Sequence, residues 1–320
     1  MLFKSSKEVA VSTVSRVSII GMGSVGAMYG HIISKNIGSD KVTFLVDEER
    51  RERYAADPVR VNGVPEAFAL ETPDGTKKAE LILIATKATG LEAALETIAP
   101  AVGPDTIIIS ALNGITSEKI VSARFGAQHV IPCVVQGMDA VSFGRSLTYT
   151  VPGMLFLGLF EDDQFSSDKL RGLAAAADFL KGAGIPVTVT GEIRRRMYSK
   201  WMLNVGLNQT AMVFSATYGS VMEKGSEAFA MMCSAMREAM LCANAEGVDL
   251  NEGDLAEYLE LTASLTPDAM PSMAQDRIRG KKTEVEIFGG EALALGEKHG
   301  IPVPVNEYLV RRVREIEAAF

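Results

Sequence analysis

Residues 200–209 read KWMLNVGLNQ, with Lys200, Asn204 and Asn208 at every fourth position of an apolar run. A helix turns by about 100° per residue, so each step of four drifts by only about 40° and the three side chains share one face. An ammonium and two carboxamides set among Trp201, Met202, Leu203, Val205 and Leu207 are costly to bury without partners. Either they form a polar seam bonded to other helices, or they line a wet pocket; spacing alone leaves the two readings even. The lysine adds chemistry, because a desolvated ammonium can protonate a developing alkoxide and attract a substrate carboxylate.

Such a lysine needs a counter-charge. The segment PSMAQDRIRGKKTEVEIFGG (271–290) offers Asp276, Glu284 and Glu286, with Ser272 as a further polar group. Taken alone, Ser272 and Glu284 are accounted for by capping and by first-turn complement of the helix dipole. Asn113, in SALNG, follows a strand expected to end at the carboxyl edge of a sheet, where doubly wound folds bind ligands. Asn-Gly is also good turn chemistry, so both readings stand there.

A hydride donor would come from elsewhere in the chain. IIGMGSVGAMYG holds Gly21, Gly23, Ser24, Val25 and Gly26 in a G-x-G-x-x-G pattern. It follows a predicted strand and opens a predicted helix, the context that a dinucleotide site requires. Gly21 permits the tight turn, Gly23 lets backbone approach a pyrophosphate, and Gly26 lets helix pack on strand. The helix N-terminus then offers N–H groups to the phosphates. Asp47, 21 residues after Gly26, is placed for a ribose 2′-hydroxyl and against a 2′-phosphate. Arg50, Arg51 and Arg53 follow closely, either as partners of such a phosphate or as a solvated helix start. Lys87, after ILIAT, either supports the adenosine end or neutralises the sheet edge.

The elements that position these groups are legible in outline. Short apolar or β-branched runs at 16–21, 41–47, 79–87, 105–114 and 129–135 read as buried strands alternating with helices. VRVNGVPEAFALET (59–72) turns at Asn62-Gly63, as a hairpin or two short strands. Residues 147–160 suggest an antiparallel addition, 170–184 a helix and 185–191 a last strand. This order implies an α/β Rossmann-type doubly wound sheet. After Gly191 a helical period dominates, at about 192–216, 224–246, 252–264, 272–279, 283–299 and 304–319. Ser272–Gln275 and Thr283–Glu286 show capping-box patterns. The expected organisation is an extension at 1–15, a dinucleotide-binding domain at 16–191 and an all-α domain at 192–320.

Bulk properties narrow the class. The chain has 320 residues, 47% hydrophobic and 22% charged, with a net charge of −8. That suits two folded domains and a small-molecule partner, and disfavours a nucleic-acid surface. Cys133, Cys233 and Cys242 are widely spaced in apolar surroundings, which reads as reduced thiols in a cytoplasmic protein. The three histidines are scattered, so no metal is expected. Apolar runs are broken by charge too early for a membrane span. The Met-rich helix at 224–246 fits a buried central helix or a homodimer contact.

In order, IIGMGSVG, ILIATKA, ALNGI, the K-x₃-N-x₃-N of KWMLNVGLN and SMAQDRIRGKKTEVE resemble the ketopantoate reductase (2-dehydropantoate 2-reductase) family over nearly the whole chain. The resemblance implies a Rossmann domain plus a helical domain with the active site between them. It implies that Lys200 is the general acid for carbonyl reduction and that Glu284 orients it and the substrate hydroxyl. Asn204 and Asn208 would bind substrate, Ser272 its carboxylate, and Asn113 would lie near the nicotinamide. The implied cofactor is NADP(H). Asp47 departs from the family's usual basic residue and leaves NAD(H) open. Tyr218 stands for a further asparagine, and Gly289-Gly290 for an Asn-Gly. The foremost expectation is NAD(P)H-dependent reduction of 2-dehydropantoate to pantoate. The alternatives are another 2-oxo acid or a non-catalytic dinucleotide sensor.

Overall fold

The structure is a computed structural model and describes residues 13–73, 77–163 and 166–320. Of the stretch expected as an N-terminal extension, residues 1–12 lie outside the described residues, whereas Ser15 is tied to Glu80 by its backbone N–H at 2.6 Å. The chain divides into two compact units. One comprises residues up to Leu112 and Glu118–Ile193; the other comprises Asn113–Ser117 and Arg194–Phe320.

In the first unit the strands are β1 (Val17–Ile20), β2 (Val42–Leu45), β3 (Arg60–Val61), β4 (Val64–Pro65), β5 (Ala69–Glu71), β6 (Leu81–Ile84) and β7 (Ile107–Ser110). They continue as β8 (Val130–Ile131), β9 (Cys133–Met138), β10 (Val141–Phe143), β11 (Ser146–Thr148), β12 (Pro152–Leu157) and β13 (Val187–Val189). The main sheet runs β5-β2-β1-β6-β7-β8 with every pairing parallel. Its central strands are apolar on both faces, as a sheet covered on both sides requires. Leu81, Ile82, Leu83 and Ile84 are at most 1% exposed, each contributing roughly 1.5–3 kcal/mol by burial.

The expected strand at 129–135 is divided: β8 closes the main sheet, and β9 leaves it to pair antiparallel with β12. β13 then pairs with β12, so the last expected strand lies outside the main sheet. The segment 59–72 forms the hairpin that is one of its two expected readings, and a third strand beyond it. β3 and β4 form a hairpin about Asn62 (φ 48°) and Gly63 (φ 84°), while β5 joins the edge of the main sheet. Paired positive φ values at Asn-Gly are those of a turn that follows strand twist.

The helices α1 (Ser24–Ile37), α2 (Glu48–Ala56), α3 (Leu91–Ile98), α4 (Ser117–Phe125) and α5 (Ser167–Gly182) alternate with these strands. α6 (Ile193–Phe214) opens the helical unit, followed by α7 (Tyr218–Val221), α8 (Glu227–Ala245), α9 (Glu252–Ala263), α10 (Ser272–Ile278), α11 (Gly289–His299) and α12 (Pro304–Glu317). α6 is buried nearly all round. A Cβ on its Gly206 would lie 2.4 Å from Met236 Cγ and 2.6 Å from Met232 O, so glycine permits its close contact with α8. Met232 and Met236 are fully buried in this unit's own core. The Met-rich helix is therefore packed within the unit on that side.

One expected helix is broken. Residues 283–299 form a 3-10 turn at Val285–Ile287 and then α11. The capping box expected at Thr283 and Glu286 is absent. The Thr283 hydroxyl donates to Glu317 at 2.6 Å, and Glu286 accepts from Arg314 at 3.0 and 2.8 Å. Both side chains are engaged with α12, which draws the segment out of a single helix.

Candidate functional site

The helical unit gathers the polar residues singled out by their types. Lys200 Nζ donates to Asn113 Oδ1 at 2.8 Å, and Asn113 Nδ2 donates to Glu284 Oε2 at 3.2 Å. A carboxylate only accepts and an ammonium only donates, so these neighbours fix which way the Asn113 amide points. One turn and two turns along α6, Asn208 Nδ2 donates to Asn204 Oδ1 at 3.0 Å. Asn208 Oδ1 accepts from the Ser272 hydroxyl at 2.9 Å and from Met273 N at 3.2 Å. Asn204 and Asn208 are 8% and 5% exposed. Asn204 Oδ1 and both polar atoms of Asn208 are bonded, to one another and from Asn208 to α10, which answers the cost of burying them.

Asn113 is grouped with this unit although it follows β7 by only three residues. Ser272 is the first residue of α10, not its cap; Pro271 holds the cap position without a side-chain bond. Its hydroxyl is turned to Asn208 instead, which removes the capping explanation for a serine there. Glu284 likewise makes no side-chain cap and accepts from Asn113. Of the other acids offered as counter-charges, Glu286 belongs to Arg314, and Asp276 is buried on α10.

A second polar network in the unit escaped the sequence reading. Gln209 Nε2 donates to Asn306 Oδ1 at 3.0 Å, and Asn306 Nδ2 donates to Glu238 Oε2 at 2.8 Å. Glu238 also accepts from the N–H groups of Val305 and Asn306, where a carboxylate complements the start of α12. The signal was Gln209 itself, a third amide beside Asn208 in an apolar run. Tyr218 N donates to Ala269 O at 2.9 Å, and burial pushes its phenol above the usual range.

The first unit carries the glycine loop, and its geometry fits a dinucleotide. Gly21 has φ 101°, and a Cβ there would lie 2.5 Å from Ala85 O. At Gly26 a Cβ would fall 1.9 Å from Gly21 O, so the loop and α1 touch through missing side chains. At Gly23 a Cβ would meet nothing within 4 Å, which leaves room against the backbone for a phosphate. The first turn of α1 has no acidic residue and no side-chain cap, so its N–H groups remain available to an anion. Val25 packs against the core, and the Ser24 hydroxyl lies 2.7 Å from that of Ser142.

Asp47 is the N-cap of α2, accepting from Arg50 N at 2.7 Å and pairing with the Arg50 guanidinium. Arg51 pairs with Glu48, and Arg53 lies over the Tyr54 ring. Lys87 is exposed and precedes a short turn after β6. Among the described residues there is no cluster of metal-ligating type, and no helix is long and apolar enough to cross a membrane. The three cysteines are buried; burial pushes the Cys242 thiol up to about 11.

The arrangement is thus a glycine loop suited to a dinucleotide in one unit and a lysine, glutamate, serine and asparagine cluster in the other. Known proteins resemble this chain over both units. A family model described as ketopantoate reductase PanE/ApbA matches residues 17–155, and the model of its C-terminal part matches residues 192–317. A 2-dehydropantoate 2-reductase of Streptococcus pyogenes serotype M6 is 26% identical over 307 residues, covering 94% of this chain and 98% of its own. The crystal structure of a PanE/ApbA family ketopantoate reductase from Ralstonia eutropha superposes with a TM-score of 0.80 at 25% identity, over 95% of this chain and 99% of that one. A D-mandelate dehydrogenase solved with NADH and anilino(oxo)acetate shares the fold, with a TM-score of 0.82 at 22% identity over 95% of this chain and 99% of its own. With both parts of the family model matched in order along one chain, this protein belongs to the ketopantoate reductase family.

Proposed function

We propose that the protein reduces a small 2-oxo acid with NAD(P)H, with 2-dehydropantoate as the first candidate substrate and pantoate as its product. The observation that carries this reading is the bonded chain Lys200–Asn113–Glu284 beside Asn204–Asn208–Ser272 on one face of α6. A bound dihydronicotinamide supplies the hydride to the keto carbon. Lys200 delivers the balancing proton to the carbonyl oxygen, turning C=O into CH–OH. Its ammonium carries three N–H donors. Glu284 holds the Asn113 amide so that its oxygen faces the lysine. The Ser272 hydroxyl turns from Asn208 to the substrate carboxylate, and Asn204 and Asn208 position the remaining oxygens. Gly21, Gly23, Ser24, Val25 and Gly26 hold the pyrophosphate, with Asp47 and Lys87 toward the adenosine end.

The test is a panel of 2-oxo acids ranked by kcat/KM, followed by loss of dihydronicotinamide absorbance. A dominant preference for 2-dehydropantoate supports the specific assignment. A second reading, reduction of a different 2-oxo acid, is favoured by the partly buried Tyr218. It prevails if such a substrate ranks first. Oxidation of the cofactor with none of them would return the protein to a sensing role.

For the cofactor, we propose that NADH is accepted alongside NADPH. Asp47 is held in place as a helix cap and part-neutralised by Arg50, so it can take a ribose hydroxyl without excluding a phosphate beside Arg50. Asp47→Asn keeps the cap and removes the charge. It should shift the kcat/KM ratio toward NADPH. An enzyme that uses NADPH alone, with a ratio unmoved by the substitution, contradicts this placement.

A further inference from the structure

The residues next to the candidate catalytic groups converge on Ile287. Trp201 follows Lys200, is 1% exposed, and donates its indole N–H to Ile287 O at 3.0 Å. Gly114 follows Asn113, has φ 91°, and would place a Cβ 3.3 Å from Ile287 Cβ and 3.4 Å from Ile287 O. Ile287 ends the 3-10 turn that Glu284 introduces. Lys200, Asn113 and Glu284 lie on three separate stretches of chain: the first is hydrogen-bonded to Ile287, the second packs close to it and the third contains it.

Two residues beyond Ile287, the chain again passes close to α6. A Cβ on Gly289 would fall 2.1 Å from Gln209 Oε1. Trp201 and Gln209 lie about 100° and about 180° around α6 from Lys200, so the turn wraps α6 on faces other than the one carrying the lysine.

We infer that Trp201 and Gly114 are positioning residues that clamp Ile287 and thereby set the Lys200–Asn113–Glu284 geometry. The inference rests on the proposed reductase reading for its kinetic consequence, but the clamp itself is a property of the helical unit. Loss of the indole N–H leaves the Ile287 carbonyl unpaired and frees the turn that carries Glu284. A displacement of well under 1 Å at a proton donor is enough to lower the rate by roughly tenfold or more.

Trp201→Phe removes the N–H and keeps most of the ring. It should lower kcat by roughly tenfold while leaving KM for the oxo acid and the Kd for the dinucleotide nearly unchanged. Gly114→Ala adds a Cβ 3.3 Å from Ile287 Cβ, on backbone whose φ of 91° strains a side chain; it should give the same split and serves if Trp201→Phe does not fold. An independent readout is the rate at which a lysine-reactive reagent modifies Lys200 in the folded protein, measured by mass spectrometry. It should change severalfold in either variant. A folded variant with native kcat and a native Lys200 labelling rate overturns the clamp, whatever its melting temperature. Failure of the reductase reading shows differently: Lys200→Ala would retain activity, or no 2-oxo acid would be turned over, while the labelling comparison would still report on the clamp.

Discussion

Asn208→Ala should be far more damaging than Asn204→Ala, although the two residues look equivalent in sequence. Asn208 accepts from the Ser272 hydroxyl and from Met273 N, and donates to Asn204. Removing its amide breaks all three bonds and leaves a buried backbone N–H without an acceptor. At about 1 kcal/mol net for each bond, plus about 1 kcal/mol more for the stranded N–H, the expected loss is about 4 kcal/mol. The Asn204 side chain accepts a single bond in this cluster, so its truncation should cost about 1–2 kcal/mol including the small cavity. Urea unfolding of the two variants, compared at equal m, reads the difference directly. The same experiment carries a kinetic arm: with Ser272 no longer tethered, KM for the oxo acid should rise more in Asn208→Ala than in Asn204→Ala. Equal destabilisation by the two substitutions would refute the account of Asn208 as the tie between α6 and α10.

The glycine loop makes two contrasting predictions. Gly26→Ala should destabilise the first unit, because its Cβ would collide with Gly21 O at 1.9 Å; Gly23→Ala should fold normally yet weaken dinucleotide binding, since its Cβ meets only the space left for phosphate. Melting curves and cofactor titration by fluorescence separate the two cases. In the helical unit, hydrogen bonds from Lys298 and His299 hold the Glu246 carboxyl below its ordinary value of 4.5. A lowered folded-state value contributes stability that is present above 4.5 and lost as pH falls through the folded value. Glu246→Gln should therefore flatten the acid limb of the Tm against pH curve below that point, and an unchanged limb would show that the pairing contributes nothing.

Much of the fold was legible because its signals are local. The buried strands of the main sheet are short apolar runs, and the glycine spacing reports loop geometry almost atom by atom. The α6 stripe was legible as well, since helical periodicity alone puts Lys200, Asn204 and Asn208 on one face. What periodicity could not tell was whether those groups had partners. Ser272 and Glu284 carried local capping signals that the structure overrides with bonds from 64 and 171 residues away in sequence. The break before α11 was hidden for the same reason: Thr283 and Glu286 look like a capping box until Glu317 and Arg314 of α12 claim them. The division of the 129–135 strand between two sheets likewise depends on β12, a distant pairing. The roles of Asn306 and Glu238 rest on contacts across 68 residues and leave no local trace.

The central claim is that Lys200 delivers the proton to a reduced 2-oxo acid, and kcat of Lys200→Ala on the best substrate of the panel tests it most directly. The account predicts a loss of about 10²-fold or more in kcat with dinucleotide affinity retained. A kcat within about tenfold of the native value, a difference under about 1.4 kcal/mol, would contradict it.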